Sequence, residues 1–374
     1  MKKFFLLFIY VGTLFGFEQT SNITLEYANY TNYKNETVLL GDTKVKFSNN
    51  YFNTNITLDY MYSLAYKDKR YFDINELYFT KDVGDYSFTF GKSIKFLGEL
   101  EGFNLTDIYN QRNNLKNPFD DKIKLGSFGL DITKYFDDDY IQIGVKLYEQ
   151  DLEFLKNTEP YSVLKINYDK SLQTKHTKYT PSLYFLYNFA TDESENKIII
   201  YHGYDNKRYF TFKDAITLQQ YAYEVNKLLF TSHLIHNDII YKLELAYTDV
   251  INDAFVSDYT QFGIGFENNF YDINEKDLSL YMEYYRYIYE NNSKIKYVDI
   301  SELYDNDIFL ALKLNFNDVK NTELKGGILF DADTKEKIYK IELKTRVNDT
   351  YLIKTQLSSI DNIKKVSFNI TYSF

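Results

Sequence analysis

The chain has 374 residues, no cysteine and a formal net charge of −10. With 43 basic against 53 acidic residues it lacks the basic surface a nucleic-acid partner needs, and without cysteine it has no disulfide or thiol chemistry. Mean hydropathy is polar at −0.43, which excludes a helical membrane protein, yet 19% of residues are aromatic, with Tyr 39 and Phe 31 against Trp 0. That balance fits a barrel that turns apolar side chains to lipid, polar ones to water, and rings of aromatics to both interfaces. Tyrosine can supply the whole girdle, because its ring is apolar and its hydroxyl wet.

At the N-terminus Lys2 and Lys3 precede an apolar run from Phe4 to Phe15, followed by Gly16. A basic start, about a dozen apolar residues and a small residue describe a secretory signal peptide over 1–16. The run falls short of the roughly 20 residues of a spanning helix. The cut is placed after Gly16, which leaves 41 basic against 53 acidic residues and a mature charge near −12. The remainder, 17–374, shows no composition shift and no linker, and reads as one barrel domain.

Alternation of apolar and polar residues recurs along this domain, the period-two signature of strands with one apolar face. Strands are predicted near 22–30, 36–48, 51–66, 71–82, 85–96, 122–135, 139–151, 161–171, 179–190 and 196–204. They continue near 216–231, 236–249, 258–271, 277–290, 305–317, 322–332, 336–348, 350–360 and 364–374. The stretch 216–231 (TLQQYAYEVNKLLF within it) also scores as an amphipathic helix, and 205–216 is ambiguous. Bacterial single-chain barrels have even strand numbers, so nineteen candidates imply about 18 strands, with 16 the next choice. The fold expected is an all-β, up-and-down antiparallel transmembrane barrel. Pro181 falls inside a predicted strand, where its missing N–H places it near a strand end or bulge.

One long interruption, Leu97 to Asp121, breaks the alternation, and loops of that length are usually functional. If the first strand runs outward, this is the third outer loop. It carries Glu99, Glu101 and Asp107 beside Arg112 and Lys116, a set that can narrow a lumen and impose a transverse field on what passes. The local sequence Phe90-Gly91-Lys92-Ser93, Phe96-Leu97-Gly98-Glu99 and Asn104-Leu105-Thr106-Asp107-Ile108-Tyr109-Asn110 resembles a motif of large proteobacterial porin-like proteins. In that motif a strand bearing Gly-basic leads to Trp-Gly-Glu and an Asn-Pro-x-Asp-like turn. Leu97 stands here for the tryptophan, Thr106 where proline is common, and no proline follows Asn110. The similarity covers about 20 residues. It implies a barrel, and in general porins the third loop folds into the lumen.

On the last strands Lys340, Lys344, Arg346 and Lys354 alternate with apolar residues and are expected on the lumen wall. The chain ends on KKVSFNITYSF, in which Val366, Phe368, Ile370, Tyr372 and Phe374 alternate with polar residues. This segment resembles the C-terminal recognition strand of Gram-negative outer-membrane proteins. The resemblance implies that Phe368, Ile370, Tyr372 and Phe374 serve as an assembly signal. It also implies that this strand pairs with the first strand to close the barrel.

Catalytic constellations are weak. The residues two after His176, His202, His233 and His236 are Lys178, Tyr204, Ile235 and Asp238, so no His-x-Ser pair shares a strand face. His233 and His236, three apart, fall on opposite faces of a strand, which disfavours a shared metal. His236-Asn237-Asp238 is the nearest thing to a protease couple. Asp137-Asp138-Asp139 and Asp192-Glu193-Ser194-Glu195 read as solvated turns before they read as calcium ligands. No nucleotide loop or cofactor motif is present.

The expectation is therefore a non-enzymatic outer-membrane porin of a Gram-negative bacterium, passing small hydrophilic solutes through a lumen narrowed by 97–121. Its partners are outer-membrane lipids, lipopolysaccharide and the assembly machinery, with monomer and homotrimer both open. The alternative is a plugged binding or structural barrel, such as an adhesin or a hydrophobic-compound transporter.

Overall fold

The computed structural model describes residues 16–116, 123–156, 158–162, 166–290, 305–360 and 362–374. The apolar run of the signal peptide, with Pro118, therefore lies outside the described residues, as do 117–121 of the long interruption. Among the described residues twenty-three strands form. The first nine are β1 (Gly16–Tyr30), β2 (Glu36–Ser48), β3 (Asn53–Ser63), β4 (Arg70–Val83), β5 (Tyr86–Ser93), β6 (Gln111–Arg112), β7 (Lys124–Leu125), β8 (Ser127–Phe136) and β9 (Asp139–Lys146). Next come β10 (Asn167–Thr174), β11 (Ser182–Ala190), β12 (Ser194–Tyr204), β13 (Tyr209–Phe212), β14 (Thr217–Ala222), β15 (Glu224–His236), β16 (Ile239–Val250) and β17 (Tyr259–Phe270). The last six are β18 (Asp277–Tyr289), β19 (Asn306–Asn315), β20 (Glu323–Asp331), β21 (Lys337–Arg346), β22 (Tyr351–Ile360) and β23 (Ile363–Ser373).

Eighteen of them make one sheet: β1–β5, β8, β9, β11, β12 and β15–β23. Each pairs antiparallel with its neighbour in chain order, and β23 pairs back to β1. The sheet is thus a closed 18-stranded barrel, and among the described residues there is no helix. Closure is well fastened. Asn22 to Tyr30 oppose Ser373 to Lys365, and Ser21 and Phe374 exchange backbone bonds of 2.8 and 3.0 Å. Inside the seam Thr24 and Thr371 hydroxyls meet at 2.7 Å and Lys365 bonds Glu26 at 2.8 Å.

The surplus nineteenth strand is the predicted 161–171. Its residues contribute to β10, which leaves the wall and joins β13 and β14 in a small three-stranded sheet. The 216–231 stretch is neither helix nor one strand: it breaks at Tyr223, giving β14 to the small sheet and β15 to the wall. Pro181 stands one residue before β11, where no ladder bond is lost.

The connections alternate between the two ends of the barrel, and the longest lie at one of them. One end has tight turns, such as Gly84-Asp85 and Asn237-Asp238. Asn237 and Asp238 both have positive φ (50° and 64°), a pair suited to the primed two-residue turn that matches strand twist. The other end carries the longer connections 94–126, 147–181 and 205–223. We call these ends the turn end and the loop end, and the loops 94–126, 147–181 and 205–223 L3, L4 and L5. L3 is the third connection on its end.

Along every wall strand the apolar stripe faces outward. Ile143, Ile200, Leu228, Ile341 and Phe368 are all exposed there, making an apolar band around the outside of the wall. A bulge in β4 leaves Asn75 unpaired between Ile74 and Glu76. Its side chain bonds the Lys124 carbonyl (3.0 Å) and accepts the Gly126 N–H (2.9 Å), fixing the return of L3 to the wall. A Cβ on Gly126 would lie 1.9 Å from the Asn75 carbonyl oxygen, so only glycine admits that approach.

Candidate functional site: the lumen and its constriction

The inner face of the wall is not uniform. On β11, β12, β15 and β16 it carries an apolar cluster: Tyr184, Leu186, Ile199, Tyr201, Leu229 and Ala246 are buried. They pack on Leu97, Ile108 and Tyr109 of L3 and on Tyr209, Tyr223 and Tyr259. Each of these strands thus carries apolar residues on its inner face as well, beside polar ones such as Lys227, Thr231 and Glu244, contrary to the one-faced pattern expected from alternation. Each fully buried Leu, Ile or Phe-sized side chain contributes about 1.5–3 kcal/mol, so L3 is held as a core element holds, not as a surface loop. Runs such as LYFLYNF (183–189) and IIIY (198–201) carried that signal in the sequence.

With that half filled, the open path is eccentric. A cavity of about 1020 Å³ runs from Asn22, Thr371 and Ser373 at the turn end to Phe154 and Arg208 at the loop end. It is bounded by L3 on one side and by β19–β23 and β1–β4 on the other.

The five charged residues picked out in L3 are distributed on both its sides. Glu99 turns to the wall, where Lys197 bonds it and His233 Nδ1 lies 3.3 Å away. Glu101 lines the cavity and pairs with Lys242 at 2.8 Å. Asp107 lines it too, paired with Lys124. Arg112 lies over the Phe103 ring at 5.3 Å, and Lys116 crosses to Asp59 of β3 at 2.5 Å. A residue not singled out from sequence is Phe96, whose ring is 72% exposed to this cavity and carries the Lys124 ammonium 3.9 Å from its centroid.

Across the cavity, Lys340, Lys344, Arg346 and Lys354 all face the lumen, with Lys313 and Lys325 beside them. Register puts Lys344 directly against Lys354 and Lys313 against Lys325. Two carboxylates temper the row: Glu342 lies 3.1 Å from Lys340 and 3.7 Å from Lys354, and Glu323 lies 3.2 Å from Lys325 and 3.5 Å from Lys313. The row remains cationic in balance. Asp42, Asp59 and Glu76 line the wall of β2–β4 beyond the seam, so the path has walls of opposite sign.

Electrostatics fix the loops as well. Burial raises the Glu99 carboxyl, but hydrogen bonds from His233 and Lys197 outweigh it and hold the group below the usual carboxylate range. Burial pulls Lys124 down, with the Asp107 charge only partly restoring it. In L5, Asp205 is fully buried against Lys227 (2.9 Å), Tyr259 (2.6 Å) and Tyr223 (2.9 Å). Burial raises it, and the Lys227 charge with these bonds brings it down to about 2.

The histidines do not converge. His233 faces Glu99 inside the barrel, His236 reaches Glu193 at 3.7 Å beside the turn, His202 bonds Asn226 on the outer face, and His176 meets Glu224 at 3.5 Å. Among the described residues no group of three or more His, Asp or Glu side chains is placed to hold a metal.

The architecture is that of a large porin-like transmembrane barrel with its third loop folded inside. No family model and no curated protein matches the chain. Solved structures do. Pseudomonas aeruginosa OccK2 (OpdF) superposes with a TM-score of 0.60 at 10% identity, covering 96% of this chain and 98% of that one. The same protein in complex with glucuronate gives 0.59 at 10% identity and 96% coverage of each chain. P. aeruginosa OccK11 (OpdR) gives 0.58 at 10% identity, again over 96% of both. At this identity the likeness is one of fold.

Proposed function

We propose that the chain is an outer-membrane channel of a Gram-negative bacterium through which small hydrophilic solutes diffuse. The loop end faces outward, and residues 1–16 act as a leader removed on export. The observation that carries this reading is the cavity of about 1020 Å³ left between L3 and the basic wall, lined by charged side chains on both sides. Glu101, Asp107, Arg112 and Lys116 border it on the loop side; Lys340, Lys344, Arg346 and Lys354 border it on the wall side. Opposed charges across a narrow water path select by charge and size. That OccK2 has been seen in complex with glucuronate, a small hydrophilic acid, supports the same assignment.

The apolar cluster on the inner face favours a second reading, a plugged barrel that binds without conducting. It is weaker, because that apolar surface is already covered by L3 and L5, while the cavity left open is lined by charged side chains. The experiment is single-channel recording on the refolded barrel in planar bilayers. Discrete open-channel currents are expected; a correctly folded barrel that inserts and never conducts refutes the channel and leaves the plugged alternative.

A further inference from the structure

The tip of L3 meets the wall across β16, β17 and β18, and the wall there is shaped to receive it. Register across β16, β17 and β18 sets Glu244, Gly263 and Tyr285 side by side. One step toward the turn end it sets Lys242, Gly265 and Glu283 side by side. The two glycines leave a notch on the inner face. The Leu100 side chain is buried in it: a Cβ on Gly263 would stand 2.5 Å from Leu100 Cδ1, and one on Gly265 would stand 2.8 Å from Leu100 Cδ2.

Carboxylates flank the notch. Glu244 accepts the N–H groups of Glu99 (2.6 Å), Leu100 (3.0 Å) and Thr106 (3.1 Å), with the Thr106 hydroxyl at 3.2 Å. Glu283 accepts those of Glu101 (2.7 Å) and Gly102 (2.9 Å), and the Tyr285 oxygen accepts that of Phe103 (3.0 Å). Five consecutive N–H groups, from Glu99 to Phe103, thus end on wall side chains. Without these partners they would be buried donors with nothing to bond, a costly state. Both carboxylates are buried, in a medium where a hydrogen bond is strong and an unpaired donor is costly.

We propose that Gly263, Gly265, Glu244 and Glu283 form a socket that sets the position of L3, the glutamates acting as positioning residues for the channel. The effect on aperture rests on the channel reading above; the socket itself does not. The glutamates take hold of backbone N–H groups, while the side chains of Glu101 and Phe103 line the cavity. Anchorage and selectivity are thereby assigned to different atoms of the same residues.

The test uses the full-length barrel refolded in detergent, with Gly263→Val, which fills the notch without changing charge, and Glu244→Gln with Glu283→Gln. Two measurements are made: amide hydrogen–deuterium exchange over 97–106, and single-channel conductance with graded solute sizes. In the wild type the 97–106 amides are expected to be protected. In the variants they should exchange about tenfold faster or more, as follows from leaving buried donors unpaired. Conductance and size limit should rise together, with heat-modifiable gel migration confirming an intact barrel. Should a glutamate variant fail to fold, Leu100→Ala, which empties the notch and leaves the wall untouched, carries the same expectation. Unchanged exchange in Gly263→Val and Leu100→Ala overturns the socket. Silence of the wild type in the bilayer instead overturns the channel, and the exchange result still stands by itself.

Discussion

Reversing one wall charge gives the sharpest test of how the lumen selects. Lys344 faces the cavity, lies directly across from Lys354 in the β21–β22 register, and belongs to a row in which Glu342 and Glu323 are outnumbered by lysines. Lys344→Glu changes the local charge by two. For an ion passing roughly 5 Å away through water, each unit is worth about 0.8 kcal/mol, so the swing is about 1.6 kcal/mol. Anion and cation respond with opposite sign, so the two swings add to about 3.2 kcal/mol, roughly two-hundredfold in the anion-to-cation permeability ratio before screening. Lys344→Gln should move the ratio about half as far on a logarithmic scale. The assay is the reversal potential across a planar bilayer under a KCl gradient, run near 0.1 M and again near 1 M. At the higher salt the screening length falls to about 3 Å, and most of the shift should vanish. A conducting Lys344→Glu channel whose ratio at low salt matches the wild type would refute the reasoning, because the wall charge would then not face the permeating ions.

Two further outcomes are expected. Deleting Phe374 removes the backbone exchange with Ser21 and the ring stacked on Tyr372 (5.2 Å), so membrane-inserted protein should drop while the barrels that do form conduct as before; equal inserted levels would sink this. Asp205 is depressed to about 2 in the folded protein, below the roughly 3.9 of an unfolded aspartate, so it stabilises L5 fully above that value and progressively less as pH falls toward 2. Near-ultraviolet dichroism of the Tyr223–Tyr259 cluster should therefore weaken between about pH 4 and 2, and Asp205→Asn should flatten that transition.

The wall was legible because each of its strands repeats the same outward stripe, which lipid demands of all of them alike. Tyr339, Ile341 and Leu343, or Phe368, Ile370 and Tyr372, announce their strands without help from the rest of the chain. The same rule misleads at 161–171, since a strand in a loop sheet also alternates, and nothing local says which sheet it joins. Likewise TLQQYAYEVNKLLF hides a change of sheet at Tyr223, where no proline or glycine marks the break. That L3 stood apart was visible from its broken alternation. What receives it was not: Glu244 and Gly263 lie more than a hundred residues from Leu100, and one acidic residue on a polar face looks like any other. The side taken by each L3 charge was equally hidden, since Glu99 and Glu101 are two apart yet answer to Lys197 and Lys242 on different strands.

The seam between the two ends of the barrel also sets a clock. Thr24 and Thr371 touch, yet 347 residues separate them. Contacts so distant in sequence are the slowest to form, since the intervening chain must be ordered before they are rewarded. During synthesis β1 is among the first strands made, and its partner is the last. For that whole interval the backbone groups from Asn22 to Tyr30 have no mate on that side. Something must shield them, or the ribbon will find a neighbour's edge instead. A barrel closed in this way cannot be assembled piecemeal, and its yield will depend on how long the first strand can be kept waiting.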